Sequence, residues 1–320
     1  MALPLVYHPE YVTPLPPGHR FPMPKFGLVY EMLLAEGIVS TSTVHVPDSA
    51  DRELLTLVHT EEYVDSILEG TIKPAALRRI GLPWSEGLAR RTRRAVGGTL
   101  LTARLALEHG LACNTAGGTH HAHPSFGSGF CLFNDLAVAA AALLAEEAVR
   151  RILVVDLDVH QGDGTAAAFQ ADDRVFTFSM HCGSNFPFRK TPGDLDVALP
   201  EGLSDDEYLR ELESILPDLV NPAVPEMAPD LVLYDAGVDV FAGDRLGRLN
   251  LTLEGITRRD RFVLETCLAA DVPVAAVIGG GYDQDVSALA DRHCILHRVA
   301  ASLRPGRSRL RGLAQERPVP

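Results

Sequence analysis

Ile152-Leu153-Val154-Val155-Asp156-Leu157-Asp158-Val159-His160-Gln161-Gly162-Asp163-Gly164 is an apolar run that turns abruptly polar. The run Ile152 to Leu157 is short and rich in β-branched residues, the pattern of a strand buried on both faces of a parallel sheet. Val175 to Met180, Leu231 to Tyr234 and Val274 to Ile278 repeat the pattern, and 111–114 is a shorter version. Amphipathic segments lie between them. Over 88–108, Leu88, Val96, Leu100, Ala103 and Leu107 share one helical face. Ser204-Asp205-Asp206-Glu207 forms a capping box ahead of Leu209, Leu212, Leu216 and Leu219, and Val286 to Leu303 marks a last helix. This β-α-β-α order predicts a single α/β domain over 1–304, an open, mostly parallel sheet with helices on both faces. The Arg- and Pro-rich stretch 305–320 is expected to be a flexible tail. The Pro- and Gly-containing segment 183–203 is expected to be a long loop.

Composition narrows the function. The 320 residues are 46% hydrophobic and 22% charged, which is globular. The formal net charge of −13 gives no long-range attraction to nucleic acid or anionic lipid. Cys113, Cys131, Cys182, Cys267 and Cys294 are scattered and contain no CxxC, which fits reduced thiols in a cytoplasmic protein. The N-terminus lacks the pattern of a signal peptide. The longest apolar run, Leu136 to Ala145, is half the length a membrane span needs.

In open parallel sheets, ligands bind beyond the carboxyl ends of the strands. Four groups of unusual residues fall there. After the first strand, Asp156, Asp158 and His160 at i, i+2 and i+4 point the same way if the extended geometry persists. Two carboxylates and an imidazole converging in a buried place call for a divalent cation. The segment Tyr234 to Gly247 carries Asp244 in a Gly-Asp-Arg turn, either a third ligand or half of a surface Asp–Arg pair. Gly117-Gly118-Thr119-His120-His121-Ala122-His123-Pro124 puts adjacent histidines on a Gly-rich loop, suited to general acid–base work. Gly279-Gly280-Gly281-Tyr282 lets the backbone approach a ligand, with a tyrosine hydroxyl available to an oxyanion. Asp, His and Asp ligands with an open position form a catalytic zinc layout, and the reaction class is hydrolysis of an amide or similar carbonyl compound.

In order along the chain, the runs THHAHPSFGSGFCLFND, DLDVHQGDGT, GDRLG and GGGY resemble the zinc-dependent histone deacetylase family over nearly the whole length. YHPEY and AGVDVFAGDRLGRL suggest its class IV-like or a related bacterial branch. The resemblance implies an arginase-like fold and one catalytic Zn²⁺, with Fe²⁺ as a substitute, on Asp158, His160 and Asp244. It implies catalytic His120 and His121, partnered by Asp156 and Asp163 respectively, with Tyr282 as oxyanion donor. His121 would be the working acid–base and His120 an electrostatic support. A structural K⁺ is implied near Asp156, Asp158, His160, Ser179 and Met180. Gly129, Phe130, Phe188, Leu251 and Gly280 would contact the acyl-lysine stem, with Phe186 the alternative to Phe188.

The implied function is removal of acetyl or other acyl groups from the ε-amine of lysine in peptides or proteins. The alternatives are a deacetylase of acetylpolyamines or other small acyl amides, a di-manganese ureohydrolase and a non-catalytic acyl-ligand binder. Asp163 sits one residue too far along for the ureohydrolase Asp-x-His-x-Asp pattern. Leu251, where one polyamine-selective branch of the family places an acid, favours acyl-lysine.

Overall fold

The computed structural model describes residues 3–221, 223 and 228–303. The expected tail 305–320 lies outside them. The strands are β1 (Leu5–Val6), β2 (Val44–His45), β3 (Leu111–Asn114), β4 (Ile152–Asp156), β5 (Val175–Cys182), β6 (Leu195–Leu199), β7 (Leu231–Asp235) and β8 (Val274–Val277). The helices are α1 (Lys25–Ala35), α2 (Arg52–Leu55), α3 (Glu61–Leu68), α4 (Pro74–Ile80), α5 (Glu86–His109), α6 (Asp135–Ala145), α7 (Asp163–Phe169), α8 (Asp205–Leu219), α9 (Leu253–Ala269) and α10 (Val286–Ser302). All strand pairs are parallel, in the order β2-β1-β3-β8-β7-β4-β5-β6.

Alternation along the central strands explains their apolar character. Leu153 and Val155 join one core, with Val232 and Tyr234, while Ile152 and Val154 join a second core under α5 and α6, with Leu231 and Leu233. The sheet is thus buried on both faces, as its continuous apolar runs predict. The run Leu136 to Ala145 is α6, packed into the second core. Among the described residues no helix is long and apolar enough to cross a membrane.

One segment differs from expectation. Within 183–203, β6 adds an edge strand whose register pairs Phe178 with Leu195 and Cys182 with Leu199. Half-buried Leu195 and Val197 and buried Leu199 alternate with exposed Asp196 and Ala198, a short period-2 pattern hidden among prolines, glycines and aspartates.

The order β3-β8-β7-β4 matters most for chemistry. These four strands are neighbours, so the loops leaving their carboxyl ends converge. Those loops carry His120 and His121 after β3, Gly279 to Tyr282 after β8, Asp235 to Asp244 at and beyond β7, and Asp156 to Asp163 at and beyond β4.

His59 buttresses this edge. Its Nε2 accepts the Asn134 N–H at 3.0 Å while its Nδ1 lies 3.1 Å from the His123 carbonyl. An acceptor Nε2 requires a neutral ring, and burial pushes the His59 pKa down to about 4. The folded pKa lies below the unfolded one, so the unfolded state takes up the proton first as pH falls. This contribution is present above about pH 6.5 and is lost progressively toward pH 4, on the order of 3 kcal/mol in all. The urea midpoint of the wild type is expected to fall more steeply between pH 7 and 4.5 than that of His59→Asn. Parallel pH dependences would refute the assignment.

Candidate active site

The floor is built by short hydrogen bonds between loops. His121 Nδ1 lies 2.6 Å from Asp163 Oδ1, and His120 Nδ1 lies 2.7 Å from Asp156 Oδ2. Both Nδ1 atoms therefore donate to carboxylates, leaving each Nε2 free. The two rings sit 4.1 Å apart between centroids yet titrate in opposite senses. Burial disfavours charge on both. Around His120 the Asp156, Asp158 and Asp235 carboxylates prevail and hold its pKa well above the ordinary value. His121 is lowered to about 4 by burial and by neighbouring His120, against the pull of Asp163. His123, a third member of the loop, also reaches Asp163, at 3.0 Å.

The positioning depends on Gly129 and Phe130, which have φ of 52° and 67°. A Cβ on Gly129 would collide with the His121 ring, so only glycine lets this turn close over the histidine. Phe130 then enters the wall of a cavity of about 320 Å³. His121, His160 and Tyr282 line that cavity together with Gly129, Phe130 and Phe186. His120 is absent from that lining and borders a smaller adjoining recess, which shares His121, His160 and Tyr282 with the cavity and adds Gly280 and Lys25.

Phe186 lies edge-on to His121 at 4.9 Å between centroids, whereas Phe188 is 87% exposed at the outer rim. Both line the cavity. Leu251 does not, which corrects the sequence expectation. It is fully buried, and its backbone bonds Val240 and Ala242 as the chain folds back beside Phe241. Leu246 and Arg248 take the wall position instead.

Asp158, His160 and Asp239 bring one ligand atom each within 4.8 Å of one another, and His120, Asp156 and Asp235 do the same. The strand geometry ends at Asp156, so the i, i+2, i+4 set is divided between these two groups. Asp158 Oδ1 accepts the His160 N–H at 2.9 Å, and Oδ2 accepts the Gly280 N–H at 2.7 Å, joining the β4 and β8 loops. Asp244 stands outside both groups. Its Oδ1 accepts the Leu246 and Gly247 N–H groups, and its Oδ2 accepts the Tyr282 N–H at 2.7 Å. It thereby fixes Tyr282 on the cavity wall. Asp156 and Ser179 are register partners on β4 and β5, and Met180 follows in the core.

The residues fit a cation. Asp156, Asp158, Asp235 and Asp239 are all buried. Among the described residues Asp235 Oδ1 and Oδ2 have no hydrogen-bond partner, and Asp239 Oδ2 meets only the His160 ring, at 3.2 Å. Burial and repulsion from Asp158 push Asp239 up to about 7, and burial with Asp156 pushes Asp235 well above the usual carboxylate range. Such crowding is costly unless positive charge is present. An oxygen-and-imidazole donor set suits Zn²⁺ or Fe²⁺.

Asp235, Asp239 and Lys25 were not singled out by the sequence. Lys25 is buried, donates to the Gly279 carbonyl at 3.1 Å and sits 5.9 Å from the Tyr282 ring centre. Burial lowers its pKa to about 8, against the pull of Asp239, Asp158 and Asp244. Nothing local in the sequence marked it, because its partner Gly279 lies 254 residues away.

Residues 19–297 match the family model described as the histone deacetylase domain. An uncharacterized protein of Picosynechococcus is 58% identical over 300 residues, covering 94% of this chain and 99% of that protein. Histone deacetylase 2 of Arabidopsis thaliana is 32% identical over 281 residues, covering 82% of this chain and 70% of that protein. The crystal structure of an HDAC homolog from Aquifex aeolicus superposes with a TM-score of 0.80 at 27% identity, covering 94% of this chain and 84% of that one. The chain belongs to the histone deacetylase family.

Proposed function

We propose that the chain is a metal-dependent amidohydrolase, Zn²⁺ being the expected ion, that removes acetyl or other acyl groups from lysine ε-amines in peptides or proteins. The observation that carries this reading is the pair of unlike histidines under an aromatic-walled cavity, with His121 and Tyr282 both facing it.

Asp158 and His160 would hold the ion, with Asp244 as third ligand by family resemblance. Asp239, by its closeness, would steady His160 from outside: one carboxylate oxygen accepts the Val159 N–H at 2.9 Å, and the other lies 3.2 Å from His160 Nδ1. When bound, the ion polarises the substrate carbonyl and acidifies water. The structural K⁺ remains part of the proposal, at the Asp156–Ser179 junction.

The chain's own groups do the rest. Gly129, Phe130 and Phe186 hold an apolar stem and exclude water. His121 is neutral, its Nδ1–H fixed on Asp163, so Nε2 can accept a proton from the attacking water. As the C–N bond breaks, Nε2 returns that proton to the leaving amine, and the acyl group departs as a carboxylic acid whose own proton passes to the released amine or to water. His120, held charged by its carboxylates, supplies a fixed positive field. Burial and the nearby Asp239 and Asp158 keep the Tyr282 hydroxyl protonated, so it can donate to the oxyanion.

Tyr282→Phe tests the reading directly. It removes one hydroxyl and almost no volume. Turnover of an acetyl-lysine peptide is expected to fall about 10²–10³-fold with metal content unchanged. A fall of less than about threefold would mean that Tyr282 is not the donor.

A further inference from the structure

We propose that Arg20, Arg78, Arg79 and Arg248 form an anion-recognising rim that selects acyl-lysine substrates carrying a carboxylate beside the lysine stem. This inference rests on the deacylase reading above and names its substrate class.

All four arginines line the mouth of the main cavity, all are exposed, and among the described residues no aspartate or glutamate lines it. Local charge there is opposite in sign to the net −13 of the chain. Among the described residues Arg20, Arg78 and Arg79 have no ion-pair partner, whereas Arg248 pairs with Glu201 at 2.8 Å. Their positions are held by backbone. Arg78 and Arg79 occupy the last turn of α4, whose end is fixed by the Phe130 N–H donating to Ile80 at 2.7 Å. The His19 ring reaches the Gly81 carbonyl at 3.1 Å, and the Arg20 guanidinium lies 4.8 Å over the Phe130 ring. Basic residues at a helix C-terminus complement its dipole, but Arg20 and Arg248 belong to no part of α4. Convergence from three separate segments on one opening calls for another cause. Guanidinium groups without acidic partners are suited to bidentate capture of carboxylates. They also disfavour polyamines, whose distal ammonium would meet like charge.

The test uses the metal-loaded full chain and peptides carrying one acetyl-lysine flanked by glutamates, glutamines or lysines. A second arm compares Nα-blocked acetyl-lysine bearing a free α-carboxylate with its amide, which separates a side-chain source from a terminal one. The glutamate-flanked peptide is expected to exceed the glutamine-flanked one in kcat/KM by about tenfold, the product of two or three exposed charge pairs. The lysine-flanked peptide should be the poorest. The advantage should shrink at about 0.5 M salt. Arg78→Gln/Arg79→Gln, and separately Arg20→Gln, should bring the ratio toward one. Arg174→Gln, at the opposite end of the sheet and paired with Asp172, should leave it unchanged. Fluorescence anisotropy of labelled peptides reads the same discrimination without turnover. Preferential binding of carboxylate-bearing peptides with no hydrolysis supports the rim and overturns the deacylase reading. Hydrolysis or binding indifferent to flanking charge, or favouring lysine, overturns the rim and leaves the deacylase reading intact.

Discussion

Asp158→Ala is expected to yield a folded protein that retains no stoichiometric metal and has lost turnover by more than the 10–100-fold that removing a ligand's outer partner typically costs. Asp158 lies in the carboxylate-rich group with His160 and Asp239 and is almost fully buried, so no solvent can stand in for its charge. Its two oxygens receive the His160 and Gly280 N–H groups, so the variant also loosens two loops. Asp158→Asn keeps much of that hydrogen bonding and isolates the loss of charge. Metal content by mass spectrometry and turnover of one acetyl-lysine peptide are the readouts.

The same pair of measurements separates Asp239 from Asp244. Asp239 is fully buried, and one of its oxygens is committed to Val159, which suits a residue that steadies His160. Asp244 is partly exposed and tied to the Tyr282 backbone on the cavity side, which suits a ligand that shares its ion with substrate. Asp244→Ala should therefore lose metal as Asp158→Ala does, while Asp239→Asn should keep it with reduced turnover. Full occupancy and normal turnover in Asp158→Ala or Asp244→Ala would remove that residue from the ligand set.

The central strands were legible because burial on both faces leaves continuous apolar runs, and each run ends where a polar residue begins. Asp156 closes β4 in this way, and its loop was visible as a cluster for the same reason. Edge strand β6 was not, because only β5 covers one side of it and three apolar residues had to carry the signal. Leu251 misled because position along a loop does not tell which side of it faces inward. The turn folds back on itself at Phe241, so Leu246 reaches the cavity while Leu251 goes beneath. Lys25 and the arginine rim were invisible for a further reason. Lys25 meets its partner Gly279 across 254 residues, and Arg20, Arg78 and Arg248 come together only when the loops converge. A residue whose meaning lies in a distant partner leaves no local pattern.

The neighbouring histidines should separate by two measurements that move in opposite directions. His121→Ala is expected to lower kcat by about 10²–10⁴, the usual contribution of a positioned acid–base. His120→Ala should cost less in turnover, because His120, held charged by its carboxylates in the recess adjoining the cavity, acts through its field. Stability should rank the other way. His120 is the positive partner of Asp156 and lies near Asp158 and Asp235, all buried. Removing it strands those carboxylates, and breaking a buried pair costs about 3–5 kcal/mol. His121 is neutral at pH 7, and its loss leaves Asp163 still paired with His123. The thermal midpoint of His120→Ala should therefore fall well below that of His121→Ala, while its residual kcat stands above. If His120→Ala proved both the more stable and the less active protein, the two roles would be exchanged, and the titration order that the surrounding carboxylates impose would have to be read in reverse.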